Sequence, residues 1–245
     1  MINKVKLQSI INKYYLNGLI EKVRWTIKDD VIYVNFVSPS SDIVGSIEGK
    51  GFTIKDATVA IYDTTRLLRL LSVTNQDLFV DLIKKGGTFT KLTIEDNQFN
   101  LFYSLADLHL VKLPPEVTEP DYNIIINLTN DDILALIKAK TALVDTKDVI
   151  FKLEESIVGD KEVEITFGED SDHSDKISYV CKDIVTELNS TNKITYDADK
   201  IKEILYCNRE FKNAKINLSL EGLMKIEFED ENIKSTYFIV QKENE

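Results

Sequence analysis

The residues of this chain that could carry out acid–base, nucleophilic or metal chemistry are plentiful but dispersed. His109 and His173 are the only histidines and lie in different halves of the sequence. Cys181 and Cys207 form no CxxC pair and read as reduced, structural thiols. No HExxH, GxSxG, Walker A or GxGxxG motif occurs. The 41 Asp and Glu residues leave any chosen carboxylate pair uninformative as a general acid and base. One loop, residues 168–175 (GEDSDHSD), offers the oxygen donors that a hard cation such as Ca²⁺ or Mg²⁺ takes. It lacks the spacing and the closing glutamate of an EF-hand and reads as a solvated hairpin tip. The sequence therefore points to no catalytic site, no metal site and no cofactor.

The elements that would position any site come from composition and pattern. The chain has 245 residues, of which 43% are apolar, enough for one large core or two smaller ones. No apolar run approaches the ~18 residues of a membrane span, and residues 1–16 mix lysines into an amphipathic pattern unlike a signal peptide. The expectation is a soluble, cytoplasmic protein. The formal net charge of −11 disfavours indiscriminate nucleic-acid binding unless positive charge is confined to one surface.

Residues 3–16 read as a helix, with Leu7, Ile10, Ile11 and Tyr14 on one stripe, Lys6 and Lys13 on its flank, and Asn17-Gly18 as the stop. Strands follow at 23–27, 31–37 and 59–62. Asp63 or Thr64 caps a second helix with Leu67, Leu70 and Leu71 on one side and Arg66 and Arg69 on the other. Strands at 78–83, 88–94 and 99–104 are joined by Gly86-Gly87 and Asp96-Asn97 turns. Residues 113–122 hold three of the four prolines and read as an extended connector.

The second half repeats this order. A strand at 124–128 leads into a helix at 129–143, with strands at 149–154, 163–167, 177–181 and 193–196. A helix at 197–209 and strands at 214–220, 223–228 and 235–241 complete it. A strand ending in Tyr-Asp precedes a helix twice, at Tyr62-Asp63 and Tyr196-Asp197, which signals two copies of one unit. The domains are thus 1–112, a connector at 113–122, and 123–245, each α+β with two helices packed on antiparallel sheets. The first two helical segments carry five basic residues and no acidic one, whereas Glu203 interrupts the last helix. A face of this kind can track a phosphate backbone without reading bases.

At these residues the chain resembles the sliding clamps, the ring-shaped DNA polymerase processivity factors. Val59-Ala60-Ile61-Tyr62-Asp63 and the leucine-rich helix running to Ser72-Val73 are similar to the corresponding region of T-even-type phage clamps. Phe102-Tyr103-Ser104-Leu105-Ala106-Asp107 resembles a strand near the end of their first domain. Residues 234–245 resemble the clamp ending, a hydrophobic strand and a short acidic tail, also seen in the related proliferating-cell clamp. Residues 143–186 match only loosely.

The resemblance implies a non-enzymatic homotrimeric ring around duplex DNA that tethers a DNA polymerase and is opened by a clamp-loader ATPase, as in viral DNA replication by a bacteriophage. It implies DNA-facing positions at Lys6, Lys13, Arg66, Arg69, Lys138, Lys200 and Lys202. It implies a partner groove of Ile43, Val44, Leu113, Val117, Phe238 and Val240. It places the subunit contact between residues 102–110 of one copy and 176–182 of the next, with Phe102, Tyr103, Leu105, Leu108, Ile177, Tyr179 and Cys181 in it. Read without the resemblance, the same residues fit a monomeric two-domain interaction module, or an acidic metal-dependent hydrolase.

Overall fold

The computed structural model describes residues 1–156, 159–168 and 174–242. It divides into two compact units, Met1–Glu116 with Asp230–Ser235, and Val117–Glu229 with Thr236–Glu245.

The first unit opens with the two-residue strand β1 (Ile2–Asn3) and helix α1 (Lys4–Tyr15), whose N-terminus is capped by the Asn3 side chain accepting from the Lys6 N–H. Strands β2 (Val23–Lys28), β3 (Val31–Val37), β4 (Ile43–Lys50) and β5 (Ala57–Ile61) form an antiparallel sheet in the order β4-β3-β2-β5. Alternation along β2 and β3 buries Val23, Trp25, Ile27, Ile32, Val34 and Phe36. Helix α2 (Thr64–Ser72) leads to β6 (Asp77–Lys85), β7 (Thr88–Glu95) and β8 (Asn100–Ser104), which form a second sheet in the order β1-β6-β7-β8.

Strand β4 has no counterpart among the strands expected from sequence. Gly45 and Gly49 dilute its β-branched pattern. Gly49 is there because α1 lies against the sheet at that point: a Cβ on it would sit 1.8 Å from Ile10 Cδ1 and 3.1 Å from Phe52 Cε2.

The second unit contains β9 (Ile124–Thr129), α3 (Asn130–Ala142), β10 (Asp148–Glu155), β11 (Lys161–Phe167), β12 (Ile177–Cys181), β13 (Ile184–Thr186), β14 (Ile194–Asp197) and α4 (Ala198–Cys207). Strands β15 (Asn213–Leu218) and β16 (Leu223–Glu229) follow, and β17 (Ile233–Val240) begins among residues grouped with the first unit and ends in the second. One sheet runs β12-β11-β10-β14, and β13-β9-β15-β16-β17 are neighbours in another. The three-residue β13 was too short to register in the sequence. Helix α3 has a full capping box: the Thr129 side chain accepts from the Asp132 N–H, and Asp132 accepts from the Thr129 N–H. Residues 111–123 contain no helix or strand, as the prolines require.

The α3–α4 pair is locked by a buried cation. Lys140 is 3% exposed at its side chain, and its Nζ lies 2.9 Å from Asp199 while donating to the Leu143 and Val144 carbonyls. Lys147 reaches the same carboxylate at 2.9 Å. Partial burial alone would raise the Asp199 carboxyl, but the hydrogen bonds from Lys140 and Lys147 outweigh it and hold the group below the usual aspartate range.

We expect Asp199→Ala to destabilise by about 2 kcal/mol, because it leaves a buried ammonium without its counter-ion. Lys140→Met should cost less than about 1 kcal/mol, since the packing is kept and Lys147 still serves Asp199. A depressed folded-state pKa stabilises above the unfolded value. The gap between wild type and Asp199→Asn should therefore be full at pH 7 and close as pH falls below about 4. Urea melts across pH check both points.

Candidate nucleic-acid interface

Helix α2 shows how the basic surface is built. Leu67 and Leu71 are fully buried and Leu70 is half-buried, so the opposite side of the helix, with Arg66 and Arg69, faces solvent. Asp63, rather than Thr64, supplies the cap: its Oδ1 accepts from the Arg66 N–H at 2.7 Å. Glu21 accepts from the Thr65 N–H at 3.0 Å and the Thr65 hydroxyl also bonds Tyr15, which ties the first turn to α1. The hydroxyl of Tyr103 accepts from the N–H groups of Tyr62 and Asp63 and donates to the Asp63 carbonyl. The strand-to-helix junction is thus fixed from three sides. Burial pushes the Tyr103 phenol up, so it stays a neutral donor at physiological pH.

The repeated Tyr-Asp pairs are alike in the aspartate and unlike in the tyrosine. Asp197 caps α4 as Asp63 caps α2, accepting from the Lys200 N–H at 3.1 Å. Tyr196 is fully buried, edge-on to Phe151 with ring centroids 5.8 Å apart. Tyr62 is exposed, with Lys22 Nζ 4.1 Å from its ring centroid and bonded to its hydroxyl at 2.8 Å.

The remaining expected cations fall into three groups. Arg66, Arg69 and Lys138 are exposed. Lys6, Lys200 and Lys202 are half-buried and engaged: Lys6 lies 5.3 Å from the Phe52 ring centroid, Lys200 pairs with Asp197 at 3.4 Å and Lys202 with Glu203 at 2.8 Å. Lys13 corrects the sequence expectation. It is fully buried with its Nζ donating to Ser9 Oγ at 3.0 Å, because the buried face of α1 is wider than the Leu7–Ile10–Ile11–Tyr14 stripe and takes in Lys13 as well. Sequence reasoning passed over Arg209, whose guanidinium carbon lies 4.0 Å from the exposed Tyr206 ring centroid. The Tyr-x-x-Arg spacing at the end of α4 was the available signal.

Of the residues assigned to a partner groove, Ile43 is fully buried in β4 and is core. Val44, Val117 and Phe238 are half-buried, while Leu113 and Val240 are exposed. Of those assigned to subunit contact, Tyr103 and Cys181 are buried. The first is spent on the junction described above, and burial pushes the second, a thiol, up to about 12. Phe102 and Leu108 are exposed and Leu105, Ile177 and Tyr179 are half-buried. Tyr179 donates to Asp132, and that bond together with burial raises the phenol to about 12. Strands β8 and β12, which carry most of these residues, are each the terminal strand of their own sheet.

Among the described residues no group of three or more His, Cys, Asp and Glu side chains is placed to hold a metal ion, and no helix is long and apolar enough to cross a membrane. Residues 169–173 of the acidic loop and the acidic tail at 243–245 lie outside the described residues.

The fold is that of the sliding clamps: two α+β units, each with two helices against antiparallel sheets. Proliferating Cellular Nuclear Antigen from Entamoeba histolytica superposes with a TM-score of 0.75 at 18% identity, over 98% of this chain and 96% of that one. The structure of A. fulgidus PCNA with the C-terminal region of FEN-1 bound gives a TM-score of 0.76 at 14% identity, over 100% and 98% of the two chains. No protein-family profile matches the sequence, and no curated protein matches it significantly.

Proposed function

We propose that this chain is a DNA sliding clamp, a non-catalytic ring that encircles duplex DNA and tethers a polymerase for processive synthesis. The observation that carries the reading is a clamp fold whose α2 holds two exposed arginines in an otherwise acidic chain. Topological binding needs only weak, sequence-independent phosphate contacts, which Arg66, Arg69 and Lys138 supply together with Lys6, while Lys200 and Lys202 are held by Asp197 and Glu203. The open edges of β8 and β12 support head-to-tail assembly of three copies, with Phe102, Leu105 and Leu108 meeting Ile177 and Tyr179. The apolar side chains of Val44, Leu113, Val117, Phe238 and Val240 support docking of partner peptides. The A. fulgidus protein, which binds the C-terminal region of FEN-1, is the parallel. A separate ATP-driven loader supplies the opening energy, and a replicative DNA polymerase, host or viral, is the tethered enzyme.

Light scattering after size-exclusion chromatography tests the assembly. The expected mass is three times the 28.0 kDa of one chain. A monomer at micromolar concentration that also gives no crosslinked trimer would favour a monomeric interaction module instead.

A further inference from the structure

We propose that the β6–β7 hairpin tip is a second polyanion site, built for single-stranded nucleic acid and separate from the helices. Lys84, Lys85 and Lys91 fall within eight residues that contain no acid, in a chain with 41 acids and 30 bases. All three are exposed, and none is held in an ion pair among the described residues. Many lysines of the second unit are instead spent on carboxylates, among them Lys140, Lys147, Lys200, Lys202, Lys225 and Lys242.

The tip is rigid. Gly86 and Gly87 both have positive φ, 58° and 88°, which makes the two-residue turn whose twist matches a hairpin. A register shift between Ile83 and Lys84 turns the last residues, and the Leu105 N–H bonds the Thr90 carbonyl at 3.0 Å, tying the tip to the segment after β8. Val80, Leu82, Leu92, Ile94 and Tyr103 fill the buried face of this sheet. Lys91, opposite Ile83 in the ladder, lies on the exposed face.

The ligand class follows from what the tip presents. Lys84 Nζ stands 5.3 Å from the half-exposed Phe89 ring centroid, and Lys91 Nζ stands 5.4 Å from that of Phe102, which is 50% exposed. Flexible point charges interleaved with flat rings suit an unpaired strand: the lysines follow its backbone and the bases stack on the rings. A duplex hides its base faces and gains nothing from the phenylalanines. An acidic peptide would use the charges but leave the rings without a stacking partner. Phe102 also belongs to the proposed subunit contact, so Phe89 carries the stacking wherever the β8 edge is covered.

Fluorescence anisotropy with an oligothymidylate of roughly twenty nucleotides tests it on the full chain. The triple reversal Lys84→Glu, Lys85→Glu, Lys91→Glu should weaken binding at least about tenfold and flatten the salt slope by about 2, three contacts at about 0.7 each. Phe89→Leu, with its thermal melt recorded to confirm folding, should weaken it by about fivefold or more. Arg66→Glu with Arg69→Glu should leave oligothymidylate binding within about twofold while weakening duplex binding. A triple reversal without effect overturns the proposal and leaves the clamp reading intact. Equal competition by an oligoglutamate of matched charge also overturns it, by assigning the tip to an acidic protein partner. Loss of oligothymidylate binding in the arginine variant would place the strand on the helices instead.

Discussion

Arg66→Glu combined with Arg69→Glu should lower clamp-dependent stimulation of the cognate polymerase by about a hundredfold at physiological salt, with the oligomeric mass unchanged. On the proposed function each reversal removes one phosphate contact and adds one repulsion, and the two lie on the same exposed side of α2. The fold should tolerate both, because the packed residues of the helix are Leu67 and Leu71 and its cap is Asp63. Arg66 takes part in that cap only through its backbone N–H, which any residue provides. The deficit in DNA affinity should shrink as salt is raised, since screening weakens both the lost attractions and the added repulsions. Undiminished stimulation by the double variant would mean that these arginines do not face DNA.

Gly49→Val should cost about 3 kcal/mol or more, read as a shift in the urea midpoint. The backbone at Gly49 is not the reason, since its φ lies outside the range that favours glycine. The reason is space. Even a Cβ meets Ile10 Cδ1 at 1.8 Å, Ile10 Cγ1 at 3.0 Å and Phe52 Cε2 at 3.1 Å, and both side chains are fully buried. A cycle with Gly49→Ala and Ile10→Ala makes the cause specific. Each single change should destabilise, the first by overpacking and the second by a cavity of about 2–5 kcal/mol. The pair should lose clearly less than the sum, because the added methyl enters the space Ile10 vacates. Strict additivity would show that the clash is relieved elsewhere and that α1 is not seated on Gly49.

The same glycine explains where sequence reading stopped. The helices α1, α2, α3 and α4 were legible because their apolar residues recur at helical spacing and each is preceded by Asn, Asp or Thr. β3 and β12 were legible to the residue because alternation and β-branching coincide there. β4 was not, because close helix packing demanded glycines where a strand normally shows branched side chains. Charge was harder still. A lysine states its sign in the sequence but not its surroundings, and so Lys13, which is buried, looks like the exposed Lys138. Tyr62 and Tyr196 share a motif and differ in burial, since Tyr196 lies within its strand and Tyr62 follows its strand. The Gly86-Gly87 turn was plain, yet nothing in the pattern singled out the lysines beside it until their placement against Phe89 and Phe102 could be seen.

The terminal positions of β8 and β12 bear on how copies of this chain count their loose ends. If one joins the other from copy to copy, adding a copy covers two edges and contributes two more, so a linear string of any length still ends in two uncovered strands. Only closure removes them. A string that fails to close keeps the means to grow, and the natural failure of such a chain is a filament rather than an inert monomer. Opening a closed ring exposes both strands at once, so whatever opens it must also keep them from capturing free copies until it shuts.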